Sequence, residues 1–172
     1  DRSPSRGLGD VYKRQTELGV YRIVPVSMKR SVVKLDKKKA DSKVKRWNMI
    51  SESAAKQSKR SIIPEIMPVC TFNEALEMSQ QLDVKLLPYE CADGMAKTKK
   101  IIENLKGNES IGIFIGPEGG YDLDELSKAK EEGWEEITLG KRILRTETAG
   151  MMLMSVLMLS LIHISEPTRR TP

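Results

Sequence analysis

The alternation of apolar and polar residues along the chain predicts an α/β domain. Short apolar runs rich in β-branched residues, typical of buried strands, alternate with stretches in which apolar residues recur every three or four positions, as in amphipathic helices. Within residues 18–27, a helix is predicted to end at Gly19 and a strand to follow it. Further strands are predicted at residues 84–90, 112–115 and 136–139, and helices at residues 44–59, 72–82, 97–105, 123–132 and 146–158. Because strands that alternate with helices normally pair in parallel, the sheet is expected to be mostly parallel.

A basic segment interrupts this pattern between residues 29 and 45, with three consecutive lysines at 37–39. A solvated loop is one interpretation of such a charge run, and an RNA-facing surface is the other. Further along, Thr71 is a candidate N-cap of the helix that follows it. Asp122 and Asp124 stand where a helix is predicted to begin, and carboxylates there are favoured by the helix dipole.

The two ends of the chain are predicted to be foreign to the domain. Residues 5–15 can be written as codons whose reverse complement encodes residues 159–169, a match that chance does not produce. Such a pair indicates a translated sequencing adapter on both ends of a read. We therefore expect an artefactual tail at residues 1–15, one domain at residues 16–158, and a second artefactual tail at residues 159–172.

Without the two tails, the predicted domain is less basic than the whole chain. The tails carry +3 of the formal net charge of +5, so only +2 remains for the domain and the argument for an anionic partner weakens. The single histidine, His163, lies in a tail, and Cys70 and Cys91 are too far apart for a metal motif, so no metal is expected. Reduced thiols favour the cytoplasm. The apolar run Met151–Met158 is too short to span a membrane, and none is expected as a partner.

The first segment that carries chemistry is the apolar strand that ends in Gly116–Gly120, with the sequence Gly-Pro-Glu-Gly-Gly. Pro117 restricts the backbone, and the glycines allow positive φ and bring bare backbone close to a ligand. The spacing fits neither a Walker A loop nor a dinucleotide fingerprint. An ordinary strand-to-helix turn remains the alternative interpretation of this loop taken alone.

The second segment is Leu139–Ala149, a glycine turn followed by Arg145, Thr146, Glu147 and Thr148. Either threonine could cap the next helix, and Glu147 suits its first turn. Arg145 is a fixed cation just before exposed N–H groups, which suits a carboxylate or phosphate; a surface salt bridge is the alternative. Because both segments follow strands, they are expected to line one pocket.

Together these segments resemble the ribosomal small-subunit RNA methyltransferase E family, which belongs to the SPOUT class. The resemblance extends over residues 16–158 and includes the shorter motifs Thr16–Gly19, Arg30–Val33, Arg46–Trp47, Ala54–Arg60 and Pro64–Ile66. It implies a trefoil-knotted α/β domain and a homodimer in the cytoplasm. It also implies methylation of N3 of a uridine in 16S rRNA with S-adenosylmethionine. The family's N-terminal PUA-like RNA-binding domain is missing from this sequence.

The resemblance also implies roles for individual residues. Carried over position by position, it places the cofactor site at Leu87, Pro88, Tyr89, Ile115, Gly116, Pro117, Glu118, Gly119, Gly120, Leu139, Gly140, Ile143, Leu144, Arg145, Thr146, Glu147, Thr148 and Ala149. Arg145 is the hypothetical catalytic residue that orients the uridine or stabilises its anion, with Glu147 positioning Arg145 or the cofactor. Arg30, Arg46 and Arg60 are candidates for contacting rRNA, or for salt bridges in a dimer.

Two other functions stay open on the sequence alone. One is a SPOUT methyltransferase that acts on tRNA, which would share the fold but is disfavoured by the combination of the two motifs. The other is a non-catalytic RNA-binding or dimerisation module, which is disfavoured by the intact glycines and by Arg145.

Overall fold

The computed structural model describes residues 4–31, 36–90 and 94–165, with only the backbone described for residues 4–8, 37 and 162–165. Its helices are α1 (Pro4–Glu17), α2 (Lys37–Gln57), α3 (Phe72–Ser79), α4 (Met95–Glu103), α5 (Leu123–Glu131) and α6 (Thr146–Ser165). Its strands are β1 (Arg22–Ile23), β2 (Val26–Ser27), β3 (Glu65–Ile66), β4 (Cys70–Thr71), β5 (Val84–Pro88), β6 (Ile111–Ile113) and β7 (Glu135–Ile137).

Every strand pair in the described part of the chain is parallel. The three-stranded sheet has the order β6-β5-β7, with Leu86 of β5 opposite Ile113 on one side and Glu135 on the other. The pairs β1-β3 and β2-β4 are also parallel. Parallel neighbours need long crossover connections, and helices α2, α4 and α5 lie in them. The predicted α/β class with a mostly parallel sheet is therefore confirmed.

The core lies on both faces of β5, because successive side chains of a strand point to opposite sides. Leu87 packs in one cluster with apolar side chains of α3 and α5. Phe114 and Trp134, which follow β6 and α5, belong to the same cluster. Leu86 joins a second cluster with α4 and α6, including Leu153. Leu86 and Leu87 are both fully buried, which stabilises the fold by about 1.5–3 kcal/mol for each side chain.

Local signals determine where several helices begin. Thr71 accepts from the Glu74 amide while the Glu74 side chain accepts from the Thr71 amide, so the predicted N-cap of α3 is confirmed as a capping box. Asp122 caps α5 by accepting from the Asp124 amide. An N-cap of this kind stabilises a helix by about 1 kcal/mol.

Three predicted elements differ from the structure. The loop predicted for residues 29–45 is wrong from Lys37 onward: α2 begins there because Asp36 accepts from the Lys39 amide, while residues 32–35 lie outside the described part. The strand predicted within residues 18–27 is two short strands separated at Pro25, which has no N–H to pair. Helix α6 continues past residue 158 to Ser165.

Helix α1 occupies most of the segment that was predicted to be a tail. It packs along α2, where the Tyr12 ring meets Trp47 edge-on at a centroid distance of 5.1 Å. Thr16, fully buried, donates to the Tyr12 carbonyl over 2.8 Å. Burial raises the pKa of Tyr12 to about 12. The foreign origin of residues 1–15 stays a prediction.

None of the helices in the described part of the chain combines the length and the apolar composition needed to cross a bilayer.

Candidate functional site

Three of the predicted site segments begin at one edge of the sheet. Strands β5, β6 and β7 are parallel, so their carboxyl ends lie together. Pro88 at the end of β5 is opposite Ile137, and the Tyr89 amide donates to the Ile137 carbonyl over 2.9 Å. On the other side, the Phe114 amide donates to the Leu86 carbonyl over 2.9 Å. Residues 87–89, 115–120 and 139–149 therefore all start from this edge.

The first loop, residues 115–120, is a tight turn shaped by one aromatic ring. The Tyr121 hydroxyl donates to the Phe114 carbonyl over 2.5 Å, and its ring lies on Gly116, where a Cβ would come within 2.9 Å of it. The Gly120 amide donates to the Pro117 carbonyl over 2.9 Å, and Gly120 has a φ of +71°. Burial raises the pKa of Tyr121, which keeps the phenol protonated as a donor. The turn leaves its glycine backbone uncovered at Gly120, where no atom lies within 4 Å of an ideal Cβ.

Two buried threonines hold the start of the second loop, residues 139–149. Thr98 of α4 donates to the Thr138 carbonyl over 3.0 Å and accepts from the Thr138 amide over 3.1 Å. The Thr138 hydroxyl in turn accepts from the Gly140 amide over 3.3 Å, at a glycine whose φ is +117°. Helix α4 thus anchors the turn that leads away from β7.

A cavity of about 290 Å³ opens beside the second loop; its lining residues are Leu139, Gly140, Lys141, Arg142, Leu144 and Met152. Its volume is close to the lower end of the range for small-molecule sites, which begins at roughly 300 Å³. Leu139, Gly140 and Leu144 belong to the predicted cofactor site. Sequence reasoning passed over Lys141, Arg142 and Met152, although the two cations directly follow the glycine turn.

The predicted catalytic pair lies at the start of α6. The Arg145 carbonyl accepts from the Ala149 amide over 2.9 Å, so Arg145 immediately precedes the first turn. Its side chain is exposed and makes no ion pair among the described residues, which removes the support for the salt-bridge interpretation. Glu147 is half-buried and is not ion-paired with Arg145. The roles of both residues stay predictions.

The other predicted residues of the second loop differ in exposure. Ile143 is 81% exposed and Ala149 is buried, whereas Thr146 is half-buried and Thr148 is exposed. In the first loop, Glu118 and Gly119 are exposed, and Ile115 and Pro117 are half-buried. The two loops therefore form an edge that is largely open to solvent.

The structure separates the three arginines predicted to contact RNA. Arg30 follows β2 and lies against the first loop, because a Cβ at Gly119 would be 3.2 Å from its own Cβ. Arg46 lines a groove of about 440 Å³ between α1 and α2. Arg60 donates to the carbonyls of Thr16 and Val20 over 2.8 and 2.9 Å, and so supports the end of α1.

Sequence reasoning missed a set of contacts beside the first loop. Lys29 Nζ lies 2.9 Å from both Asp122 Oδ1 and Asp124 Oδ2, and the Lys29 amide donates to Glu125 Oε1 over 3.0 Å. The hydrogen bond from Lys29 holds the pKa of Asp122 below its usual value. The partners are more than ninety residues apart in the chain, so no local signal could have paired them.

The sequence profile of the RNA methyltransferase domain matches residues 6–158 of the chain. The chain belongs to this family. Its predicted resemblance is confirmed, and the α/β fold of SPOUT type is confirmed by the solved structures described next.

Several named members of the family are similar to this chain. The ribosomal RNA small subunit methyltransferase E of Bacillus subtilis is 37% identical over 150 residues, covering 86% of this chain and 59% of that protein. The enzyme of the same name from Neisseria gonorrhoeae, solved bound to S-adenosyl methionine, is 30% identical with a TM-score of 0.74 over 88% of this chain and 60% of its own. A Legionella pneumophila methyltransferase solved with bound cofactor SAM has 28% identity and a TM-score of 0.82 over 92% and 62%. The chain thus spans about 60% of the length of these proteins.

Proposed function

We propose that this chain is the catalytic domain of an enzyme that methylates N3 of a uridine in 16S rRNA with S-adenosylmethionine. The observation that carries the proposal is the meeting of three loops at the carboxyl edge of a parallel sheet, in a family of RNA methyltransferases. In the proposal, residues 16–158 form this domain, an N-terminal RNA-binding domain lies outside this sequence, and residues 1–15 and 159–172 are foreign.

The residues present at the sheet edge fit the cofactor. The space beside Gly120 and Gly140 is open, so a ligand can approach the main chain closely there. The polar main-chain groups can then bind the adenosine and the amino-acid carboxylate of the cofactor. The cavity beside Leu139 and Leu144 supplies apolar contact. The name of the Bacillus relative supports the rRNA substrate class, and the Neisseria relative, solved bound to S-adenosyl methionine, supports the ligand.

Methyl transfer from a sulfonium needs an aligned nucleophile more than covalent assistance, so positioning dominates the chemistry. When bound, S-adenosylmethionine supplies the electrophilic methyl group. Arg145 is free of ion pairs within the described residues and stands before the amides of α6. Its guanidinium can therefore hold the uridine and stabilise the anion that forms as N3 loses its proton. Glu147 is proposed to position Arg145 or the cofactor.

We also propose two macromolecular partners, which place the enzyme in the cytoplasm. The first is 16S rRNA of the small subunit, with Arg30 beside the cofactor loop as a phosphate contact. The second is another copy of this chain. Met152 and Val156 are each 37% exposed and lie four residues apart on one face of α6, and an apolar face of this kind favours burial against a partner helix.

The test uses the full-length enzyme, titration calorimetry with S-adenosylmethionine, and methylation assays on 30S subunits and on tRNA. We expect binding of the cofactor and methyl transfer to 30S subunits only. Transfer to tRNA alone would replace the substrate assignment. A lack of both binding and transfer would indicate a non-catalytic module. Sedimentation of wild type and Val156→Asp tests the dimer, which the variant should weaken.

A matched arginine separates a catalytic role for Arg145 from a general effect of charge. Arg22 is also exposed and pairs at 3.9 Å with Glu65 on a different pair of strands. Arg22→Ala should keep normal turnover, whereas Arg145→Ala should lose it. Equal activity of the two variants would remove Arg145 from the mechanism.

A further inference from the structure

The segment Lys29–Arg30 is held between helix α5 and the first cofactor loop. From α5, Glu125 Oε1 accepts from the Lys29 amide over 3.0 Å, and Asp122 and Asp124 bind the Lys29 ammonium. On the other side, the Arg30 main chain lies against the loop: a Cβ at Gly119 would be 2.9 Å from the Arg30 carbonyl oxygen. The Arg30 side chain lies with its Nε 3.9 Å from Asp122 Oδ2 and is nevertheless 49% exposed.

Glu125 differs from its two acidic neighbours in being buried. It is 5% exposed, and its Oε2 has no hydrogen-bond partner among the described residues. Burial of a carboxylate is unfavourable unless hydrogen bonds compensate it. Asp122 already caps the helix, so α5 does not need Glu125 for that purpose. Among the described residues, the Glu125 side chain accepts a hydrogen bond from the Lys29 amide, so it anchors this amide to α5.

We propose that Glu125 is a positioning residue that fixes Arg30 beside the cofactor loop, where the Arg30 guanidinium receives the rRNA. The inference rests on the proposed function. Because the main chain of Lys29–Arg30 is already held before RNA binds, the Arg30 side chain can contact the RNA without a rearrangement of this segment. Misplacement of such a contact by about 1 Å can reduce rates by about a hundredfold.

The experiment compares two replacements of Glu125 in the full-length enzyme. Glu125→Leu removes the acceptor. Glu125→Gln keeps an acceptor for the Lys29 amide and, because no described group donates to Oε2, displaces no bond. We expect Glu125→Leu to lower kcat/KM for 30S subunits by about tenfold or more while the Kd for S-adenosylmethionine changes by less than about twofold. Glu125→Gln should restore near-normal kcat/KM.

Two further measurements separate positioning from general stability. Hydrogen exchange of the Lys29 amide should accelerate in Glu125→Leu and not in Glu125→Gln. In an Arg30→Ala background, Glu125→Leu should have little additional effect on kcat/KM, because the residue that it positions is absent. Asp124→Asn is the matched control, since Asp124 is exposed and its carboxylate, among the described residues, binds the Lys29 ammonium and not the Lys29 amide.

Several results would overturn the inference. They are normal kcat/KM in Glu125→Leu, a parallel loss of cofactor affinity, or an undiminished effect in the Arg30→Ala background. Failure of both Glu125→Leu and Glu125→Ala to fold would also overturn it, because the residue would then be required by the core. If the wild type transfers no methyl group to 30S subunits, the proposed function fails, and the exchange of the Lys29 amide still decides whether Glu125 anchors the segment.

Discussion

Replacement of Gly116 by alanine tests whether the first loop is shaped by the ring of Tyr121. An added Cβ would lie 2.9 Å from Cε2 and 3.0 Å from Cζ of that ring. Carbon atoms at optimal contact are about 3.5–4.0 Å apart, so the ring has to move by about 0.5–1 Å. The ring is 7% exposed and its hydroxyl is bound to the Phe114 carbonyl, so it has little freedom to move.

The expected cost combines two terms. Overpacking of a well-packed site costs about 1–3 kcal/mol, and a weakened hydrogen bond from Tyr121 to Phe114 adds about 1 kcal/mol. Gly116→Ala should therefore lower the free energy of unfolding by about 2–4 kcal/mol. For a domain of this size, that loss lowers Tm by about 5–15 °C. Urea denaturation and calorimetry of the full-length enzyme measure both quantities.

Two control variants separate the clash with the Tyr121 ring from other effects of an added Cβ. Gly133→Ala introduces a Cβ at a glycine with a φ of +82° and no atom within 4 Å, so it reports backbone strain alone. In a Tyr121→Leu background, Gly116→Ala should cost far less than in the wild type, because the opposing ring is gone. Equal costs in the two backgrounds, or a wild-type Tm in Gly116→Ala, would refute the clash.

The remaining predictions concern the second loop and the charged contacts at α5. Arg145→Ala should lower kcat by about a hundredfold or more with unchanged Tm, as for loss of a group that stabilises developing charge; single-turnover methylation of 30S subunits measures this, and near-normal turnover would exclude the role. Thr98→Val should destabilise the domain by about 1–3 kcal/mol, because it leaves the buried Thr138 amide and carbonyl without partners, and weaken binding of S-adenosylmethionine by calorimetry; Thr98→Ser should show neither effect. The pKa of Asp122 is lowered from 3.8 by Lys29, and the pKa of Lys29 is raised above 10.5 by hydrogen bonds to its carboxylate partners. The contribution of Asp122 to the free energy of unfolding is therefore present above pH 3.8 and is lost as the pH falls through its lowered pKa, whereas the contribution of Lys29 is lost only above pH 10.5. Between these limits, the difference in urea stability between wild type and Asp122→Asn should not depend on pH, and a change near neutrality would contradict this assignment.

Much of the site could be predicted because its signals are local. The strand that ends in Gly116–Gly120 and the glycine turn at Gly140 are short-range patterns in which φ preferences and apolar runs coincide. The same holds for the cap at Thr71, where both partners of the capping box lie within one helical turn. Parallel pairing then brings the strand ends together, as predicted from the alternation of strands and helices.

The errors have equally specific causes. The lysine-rich segment was predicted as a loop because of its charge. It begins α2 instead, because Asp36 accepts a hydrogen bond from the Lys39 amide and caps the helix. Arg60 was predicted to contact rRNA or to form a salt bridge in a dimer, and neither role is tested; its hydrogen bonds to main-chain carbonyls at the end of α1 were not predicted, because they join residues 40 or more positions apart. Burial lowers the pKa of Arg60.

The sequence by itself determined the α/β class, the resemblance to the RNA methyltransferases and the two glycine loops, because each follows from patterns within about ten residues. Only the tertiary structure decided that Thr98 holds the second loop and that Glu125 holds Lys29 over the first. These contacts join residues separated by 40 and 96 positions. A hydrogen bond between distant residues leaves no periodic trace in the chain, since its partners meet only after the helices have packed on the sheet.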